Sequence, residues 1–216
     1  MAKLKLGILI SGRGSNLQAL IDAAAEPGYP AEIALVISNR DDAAGLARAR
    51  AAGIATEVIS HRGFADRAGF DAALDAALER AGIGLVCLAG FMRILTPWFA
   101  ERWRERLINI HPSLLPAFKG LDPHAQALAA GVRFSGCTVH FVTPDMDSGP
   151  IIVQAAVPVL DADDPDALAA RILEAEHRCY KLAVRLIAEG RVRVAGQRVT
   201  IAGGAAPESP TINPSG

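Results

Sequence analysis

Asn109 and His111 stand two residues apart in the stretch Leu107-Ile108-Asn109-Ile110-His111-Pro112, which reads as a short buried strand ending in polar side chains. Residues two apart on a strand share a face, so the amide and the imidazole point one way while Ile108 and Ile110 point the other. Pro112 disfavours helix at His111 and keeps the chain extended up to the ring. An amide and an imidazole converging at a strand end suit the polarisation of one carbonyl oxygen. Taken alone, the pair reads more readily as a core histidine satisfied by backbone. The remaining motifs tip the balance.

Ser11-Gly12-Arg13-Gly14-Ser15-Asn16 joins an apolar run to a helical one. Glycines there permit close backbone approach, and the free N–H groups of a helix start favour an anion. The third glycine of a dinucleotide fingerprint and the lysine of a nucleotide P-loop are both missing, so a monophosphate fits better than NAD or ATP. By itself the segment is also an ordinary strand-to-helix turn. Further along, Thr143-Pro144-Asp145-Met146-Asp147 opens a turn-rich loop with two acids. Such acids are commonly solvated turn residues. This loop, however, leaves the strand next in sequence to the Asn109–His111 loop, so one carboxylate could reach the imidazole, fix its orientation and favour its protonated form.

Two charged residues sit in apolar company. Arg93 lies among Phe91, Met92, Ile94 and Leu95, a setting that suits a flat, partly apolar ligand with a carboxylate tail. A snorkelling arginine is the plainer account. Glu176 interrupts the helical stripe Ile172, Cys179, Ala183 and Ile187, and a charge there needs a protein cation or a ligand hydroxyl as partner.

The elements that must position these groups alternate through the first half. Strands are expected at Leu4 to Ile10, Ile33 to Ser38, Thr56 to Ser60, Leu85 to Ala89 and around Asn109. Helices are expected at Leu17 to Ala25, Ala43 to Ala52, Asp66 to Arg80 and after Thr96-Pro97, an N-cap followed by proline at the first helical position. This order implies an α/β fold, a doubly wound, mostly parallel sheet. Cys137 to Thr143 and Ile151 to Val159 are joined by too short a loop for a crossover helix, so antiparallel strands are expected in the C-terminal half. A long helix from Asp164-Pro165 to Glu189 and a hairpin from Val192 to Ile201 complete one domain over residues 1–202. Residues 203–216, rich in Gly, Pro, Ser and Ala, read as a flexible tail.

Composition excludes several classes. The 216 residues are 51% hydrophobic and 21% charged, a globular balance, and the net charge of −1 comes without a basic run, which argues against nucleic acid as main partner. Arg102, Arg104 and Arg106 interleave with Glu101 and Glu105 and read as a solvated helix face. Cys87, Cys137 and Cys179 are far apart in apolar segments and fit reduced thiols of a cytoplasmic protein better than a disulfide or a metal site. No apolar run approaches ~20 residues, so no membrane span is expected.

Together, SGRGSN, GFMRIL, NIHPSLLP with GLDPHAQAL, and TPDMDSGPI, in that order between Lys3 and Ile201, resemble the phosphoribosylglycinamide formyltransferase family, folate-dependent enzymes of purine synthesis. The resemblance implies a Rossmann-like formyltransferase fold. It also implies formyl transfer from 10-formyltetrahydrofolate to the amine of glycinamide ribonucleotide, these two small molecules as the partners, and no metal. Asn109, His111 and Asp147 match the family's catalytic residues. Gly14, Ser15 and Asn16 match its substrate-phosphate loop, and Glu176 its ribose acid. Arg67, Met92, Arg93, Ile94 and Leu95, with Asn109 and Thr143, Pro144, Asp145, Met146 and Asp147, match positions around the folate. Arg13, Ala117-Phe118-Lys119 and Asp122-Pro123 depart from the family pattern. Methionyl-tRNA formyltransferases share the folate half but resemble SLLPRWRG where this chain has SLLPAFKG. Formyltetrahydrofolate hydrolases usually carry an extra N-terminal domain. A monomer and a homodimer are both compatible with the sequence.

Overall fold

The computed structural model describes residues 2–214; Met1 and the last two residues of the expected tail lie outside them. Seven strands form one sheet in the order β3-β2-β1-β4-β5-β6-β7, and two more pair as a small separate hairpin. Strands β1 (Leu4–Ile10), β2 (Ala31–Ser38), β3 (Thr56–Val58), β4 (Leu85–Leu88) and β5 (Leu107–His111) run parallel. Strands β6 (Phe134–Phe141) and β7 (Ile151–Pro158) continue the sheet antiparallel, because the 143–150 loop can only turn the chain back on itself. The hairpin is β8 (Val192–Ala195) and β9 (Arg198–Ile201), turning at Gly196.

Among the described residues, six α-helices cover the two faces, with one short 3-10 helix at His61–Gly63. Leu6, Ile8 and Ile10 of β1 pack with Leu17 and Leu20 of α1 (Ser15–Ala25), Leu46 of α2 (Ala44–Ala51), Ala127 of α5 (Pro123–Ala129) and Tyr180 of α6 (Pro165–Ala188). Leu9 and Ile37 face the other way, against Leu74 of α3 (Arg67–Arg80) and Phe99 of α4 (Pro97–Arg102). Each fully buried Leu, Ile or Phe contributes roughly 1.5–3 kcal/mol. The alternation along β1 therefore fixes which side of the sheet each loop leaves from. Tyr180 Oη donates to the carbonyl of Leu88 at 2.9 Å, locking α6 beneath the sheet centre.

Caps set the element ends. Thr96 Oγ1 accepts from Phe99 N at 3.3 Å, and Asp164 accepts from Ala167 N at 2.8 Å, each before a proline that needs no donor of its own. Two local expectations are revised. Helix α4 ends at Arg102, so Arg104 and Arg106 are not on its face: Arg104 pairs with Glu101, and Arg106 lies over the Trp103 ring at 4.6 Å. Residues 123–129 form α5, where no helix was expected. The tail residues 203–214 contain no helix or strand, yet Asn213 Nδ2 donates to the carbonyls of Arg133 and Val159 at 2.6 and 3.1 Å.

Candidate active site

The parallel strands end their β-α loops on one edge of the sheet, where open α/β sheets bind ligands. Three of the sequence motifs meet there at β5. Asn109 and His111 lie on β5, paired across the ladder with His140 and Thr138 of β6. His111 is buried, with Nε2 2.9 Å from the carbonyl of Phe118 and Nδ1 3.5 Å from Asp147 Oδ2. The loop that follows is pinned from β6 and β7: Thr138 Oγ1 donates to Ser113 O at 2.7 Å and accepts from Leu115 N at 3.1 Å, while Gln154 Nε2 donates to Leu115 O at 2.9 Å. The strand face and the loop together hold the ring from three sides.

Asp147 reaches the site from the loop between β6 and β7. It takes a left-handed backbone conformation (φ 49), a strained state for a non-glycine residue that clusters at functional positions. Gly149, two residues on, allows the close approach: a Cβ there would collide with the carbonyl of Phe141. Asp147 Oδ2 accepts from Gly120 N at 2.9 Å, which ties this loop to the one after β5. Asp145 is exposed, and Thr143 Oγ1 bonds only within the turn, to Asp145 O at 3.2 Å. Met146 projects outward at 59% exposure.

His140 belongs to this group and the sequence did not single it out. Its Nδ1 donates to the carbonyl of Phe141 at 2.9 Å, leaving Nε2 as an acceptor 3.4 Å from Asn109 Nδ2. Burial lowers its pKa, with the carboxylate of Asp147 opposing, so the neutral ring is favoured. Both imidazoles thus face one carboxylate, at 3.5 Å for His111 and 3.8 Å for His140. The neutral ring orients the Asn109 amide, and the carboxylate is left to serve His111.

Across the edge, Gly14 is the N-cap of α1 with φ 72 and contributes no side-chain cap. The first N–H groups of α1, from Ser15 and Asn16 onward, are therefore open to an anion. Gly14 is pressed on α2, where an added Cβ would come within 2.6 Å of Gly45 Cα. Asn16 is buried; its Nδ2 donates to Glu176 Oε2 at 2.9 Å, while its Oδ1 has no partner. Glu176 thus found an amide where a cation or a ligand hydroxyl was expected. Burial raises its pKa to about 7, with the Asn16 bond opposing. Cys137 of β6 and Cys179 of α6 are buried free thiols of one core cluster.

The loop 89–96 after β4 forms the third wall. Ser11 N donates to Gly90 O at 3.1 Å, and Met92 N donates to Ser11 Oγ at 2.8 Å, so one serine joins this loop to the one after β1. Thr96 N and Oγ1 both donate to Asp71 Oδ2 at 2.6 Å. Met92 and Ile94 stand 70% and 65% exposed, an apolar surface without a protein partner. Arg93 and Ile94 line, with Arg67 at the start of α3, a cavity of about 210 Å³. Among the described residues, no group of three or more His, Cys, Asp or Glu is placed to hold a metal ion.

Comparison with known proteins agrees with this arrangement. Residues 4–184 match the formyl transferase family. The chain is 45% identical over 191 residues to a phosphoribosylglycinamide formyltransferase of Escherichia coli, covering 88% of this chain and 90% of that one. The chain belongs to the phosphoribosylglycinamide formyltransferase family. A solved structure of glycinamide ribonucleotide transformylase 1 from Symbiobacterium toebii superposes with a TM-score of 0.91 at 50% identity, covering 93% and 94% of the two chains. The same family sequence occurs within longer proteins. The trifunctional purine biosynthetic protein adenosine-3 of Bos taurus is 52% identical over 89% of this chain, which spans only 19% of that protein.

Proposed function

We propose that the chain transfers the formyl group of 10-formyltetrahydrofolate directly to the primary amine of glycinamide ribonucleotide, a step of purine biosynthesis. The observation that carries this reading is the convergence of Asn109, His111 and Asp147 on the same sheet edge as the open start of α1. The phosphate of the acceptor sits on the N–H groups of Gly14 to Asn16, its hydroxyls meet Glu176, and the unpartnered Asn16 Oδ1 accepts one of its donors. The folate lies against Met92, Ile94 and Leu95 and the Thr143 to Asp147 loop, with Arg67 and Arg93 toward its carboxylates.

The amine attacks the formyl carbon, and negative charge develops on the formyl oxygen. The N–H of Asn109 not directed at His140 donates to that oxygen, and His111 supplies the second donor. As the structure stands, His111 Nε2 is engaged by the carbonyl of Phe118. That carbonyl occupies the place of the oxyanion and must give way when substrates enter. Phe118 and Asp122, at the two ends of that segment, hold left-handed conformations (φ 54 and φ 53). The tetrahedral intermediate collapses by breaking the bond to the folate nitrogen. The proton lost by the attacking amine passes to that nitrogen through a water in the cleft.

A hydrolytic reading has a relative behind it: a formyltetrahydrofolate deformylase from Burkholderia mallei superposes with a TM-score of 0.84 at 33% identity, with this chain covering 70% of it. Water needs neither an anion seat nor a buried acid, so the α1 start and Glu176 favour the larger acceptor. Supplying 10-formyltetrahydrofolate with glycinamide ribonucleotide, its dephosphorylated form, water alone or charged initiator tRNA decides among these. Turnover is expected with glycinamide ribonucleotide, with KM at least about tenfold higher for the dephosphorylated acceptor and an unchanged KM for the donor. Equal KM for the two acceptors would remove the phosphate seat, turnover with water alone would remove the transfer reading, and turnover with tRNA alone would remove glycinamide ribonucleotide as the acceptor.

Glu176 adds a pH dependence. The free protein holds its proton up to about pH 7, whereas substrate hydroxyls bind the carboxylate better than the acid. Binding the acceptor therefore releases a proton, and affinity should strengthen several-fold from about pH 6 to 8. In Glu176→Gln that slope should vanish; a wild-type affinity as flat as the variant's would count against the assignment. The same shift bears on folding. The native state keeps a proton that the unfolded chain gives up near 4.5, so this group's contribution to stability is present below that pH and lost as pH rises through about 7.

A further inference from the structure

Asp71 lies fully buried on α3, and among the described residues every hydrogen bond to its side chain comes from one residue. Thr96 N and Thr96 Oγ1 each donate to Oδ2 at 2.6 Å. Oδ1 is buried as well and has no partner. A carboxylate in such a place is costly to desolvate, and an apolar side chain of similar size would not carry that cost. The cap of α4 does not call for it, since Thr96 Oγ1 itself accepts from Phe99 N at 3.3 Å.

What Asp71 does fix is the far end of the 89–96 loop. The near end is fixed by Ser11, whose N donates to Gly90 O at 3.1 Å and whose Oγ accepts from Met92 N at 2.8 Å. Between these pegs the backbone of Arg93, Ile94 and Leu95 makes no hydrogen bond among the described residues. The span is a bridge whose course is set by its two ends. Arg93 and Ile94 on the bridge line the 210 Å³ cavity together with Arg67 and Phe70 of α3. Asp71 follows Phe70 and stands one helical turn from Arg67, so one helix supplies both a wall of that cavity and the peg for the opposite wall. We propose that Asp71 is a positioning residue for the formyl donor, acting through Thr96 to set the spacing between Arg67 and the 93–95 bridge. The proposal rests on the folate reading of these two walls. A single oxygen that takes both the N–H and the O–H of Thr96 fixes the backbone and the χ1 angle of that residue together. The charge makes each bond roughly twice as strong as a neutral one, which suits a peg that must hold an otherwise unbonded span.

The test uses Asp71→Asn, Thr96→Val, Thr96→Ser and the double variant of the first two, with thermal unfolding read beside activity. Asp71→Asn keeps an oxygen for Thr96 but no charge. Thr96→Val keeps the backbone donor and loses the hydroxyl, whereas Thr96→Ser keeps both. Binding of tetrahydrofolate, measured by calorimetry, should weaken about tenfold in Asp71→Asn and in Thr96→Val, and the KM for 10-formyltetrahydrofolate should rise alike. The acceptor KM, and kcat at saturating donor, should stay within about threefold, and Thr96→Ser should match the wild type. Because both residues act at one contact, the double variant should be little worse than either single one. A purely structural role gives another pattern: a lower Tm and less active protein, with the donor affinity of the folded fraction unchanged. That pattern, an equal loss of donor and acceptor affinity, or full additivity of the two variants overturns this proposal alone. If Asp71→Asn does not fold, Thr96→Val against Thr96→Ser decides by the same calorimetric measurement. Tetrahydrofolate that fails to bind the wild type removes the folate reading and this proposal with it.

Discussion

Replacing His111 by Ala, or Asn109 by Ala, should slow formyl transfer in a single turnover by about 10²–10³-fold, with acceptor and donor affinities nearly unchanged. On the proposed mechanism both groups stabilise charge that exists only in the transition state, so their removal should spare the ground state. The two variants should differ in one respect. Without the Asn109 amide, His140 Nε2 loses its donor at 3.4 Å and is left as a buried acceptor, so some stability should be lost as well. His111→Ala removes the ring partner of the Phe118 carbonyl, while Asp147 keeps its bond from Gly120 N. Rapid-quench measurement separates chemistry from binding. Near-wild-type single-turnover rates in both variants would show that this strand end is structural.

Asp147→Asn should lower turnover by on the order of 10²-fold or more while keeping the shape of the loop. The amide can still accept from Gly120 N, a bond now 2.9 Å long. It cannot present an anion to His111 Nδ1, and the ring loses the charge that matches its cationic form. The 15N shifts of His111 report this directly, because they distinguish a ring carrying N–H on both nitrogens from a neutral tautomer. A collapse of activity with unaltered ring shifts would mean that Asp147 acts on substrate or water instead. Full activity in Asp147→Asn would reduce it to a turn residue, and exposed Asp145 has no contact with which to replace it.

The parts of this site that could be read from sequence are those with a local period or a local stop. Asn109 and His111 share a face because strands alternate, and Pro112 marks where the strand ends; the doubly wound order follows from β1 to β5 by the same logic. His140 was invisible because its role depends on the register of β6 against β5, which no local pattern sets. Phe118 acts through its carbonyl, so its side chain gave no sign. The Asn16–Glu176 bond spans 160 residues and closes only when α6 crosses beneath α1. Helix α5 did leave a trace, Pro123 at its first position, but Asp122 before it is left-handed and caps nothing.

On the proposed reading, the contact between Gly14 and Gly45 extends the demands of the anion seat to α2. A Cβ at Gly45 would meet Ile10 Cδ1 at 2.6 Å and Gly14 Cα at 3.2 Å. Any larger residue there must push the anion-binding turn outward or lift α2 from the sheet. On the proposed reading, variation at buried Gly45 is thus screened by acceptor recognition. An inhibitor anchored on the α1 start would inherit that rigidity: a chain that tried to escape it by remodelling the turn from behind would lose its own acceptor first.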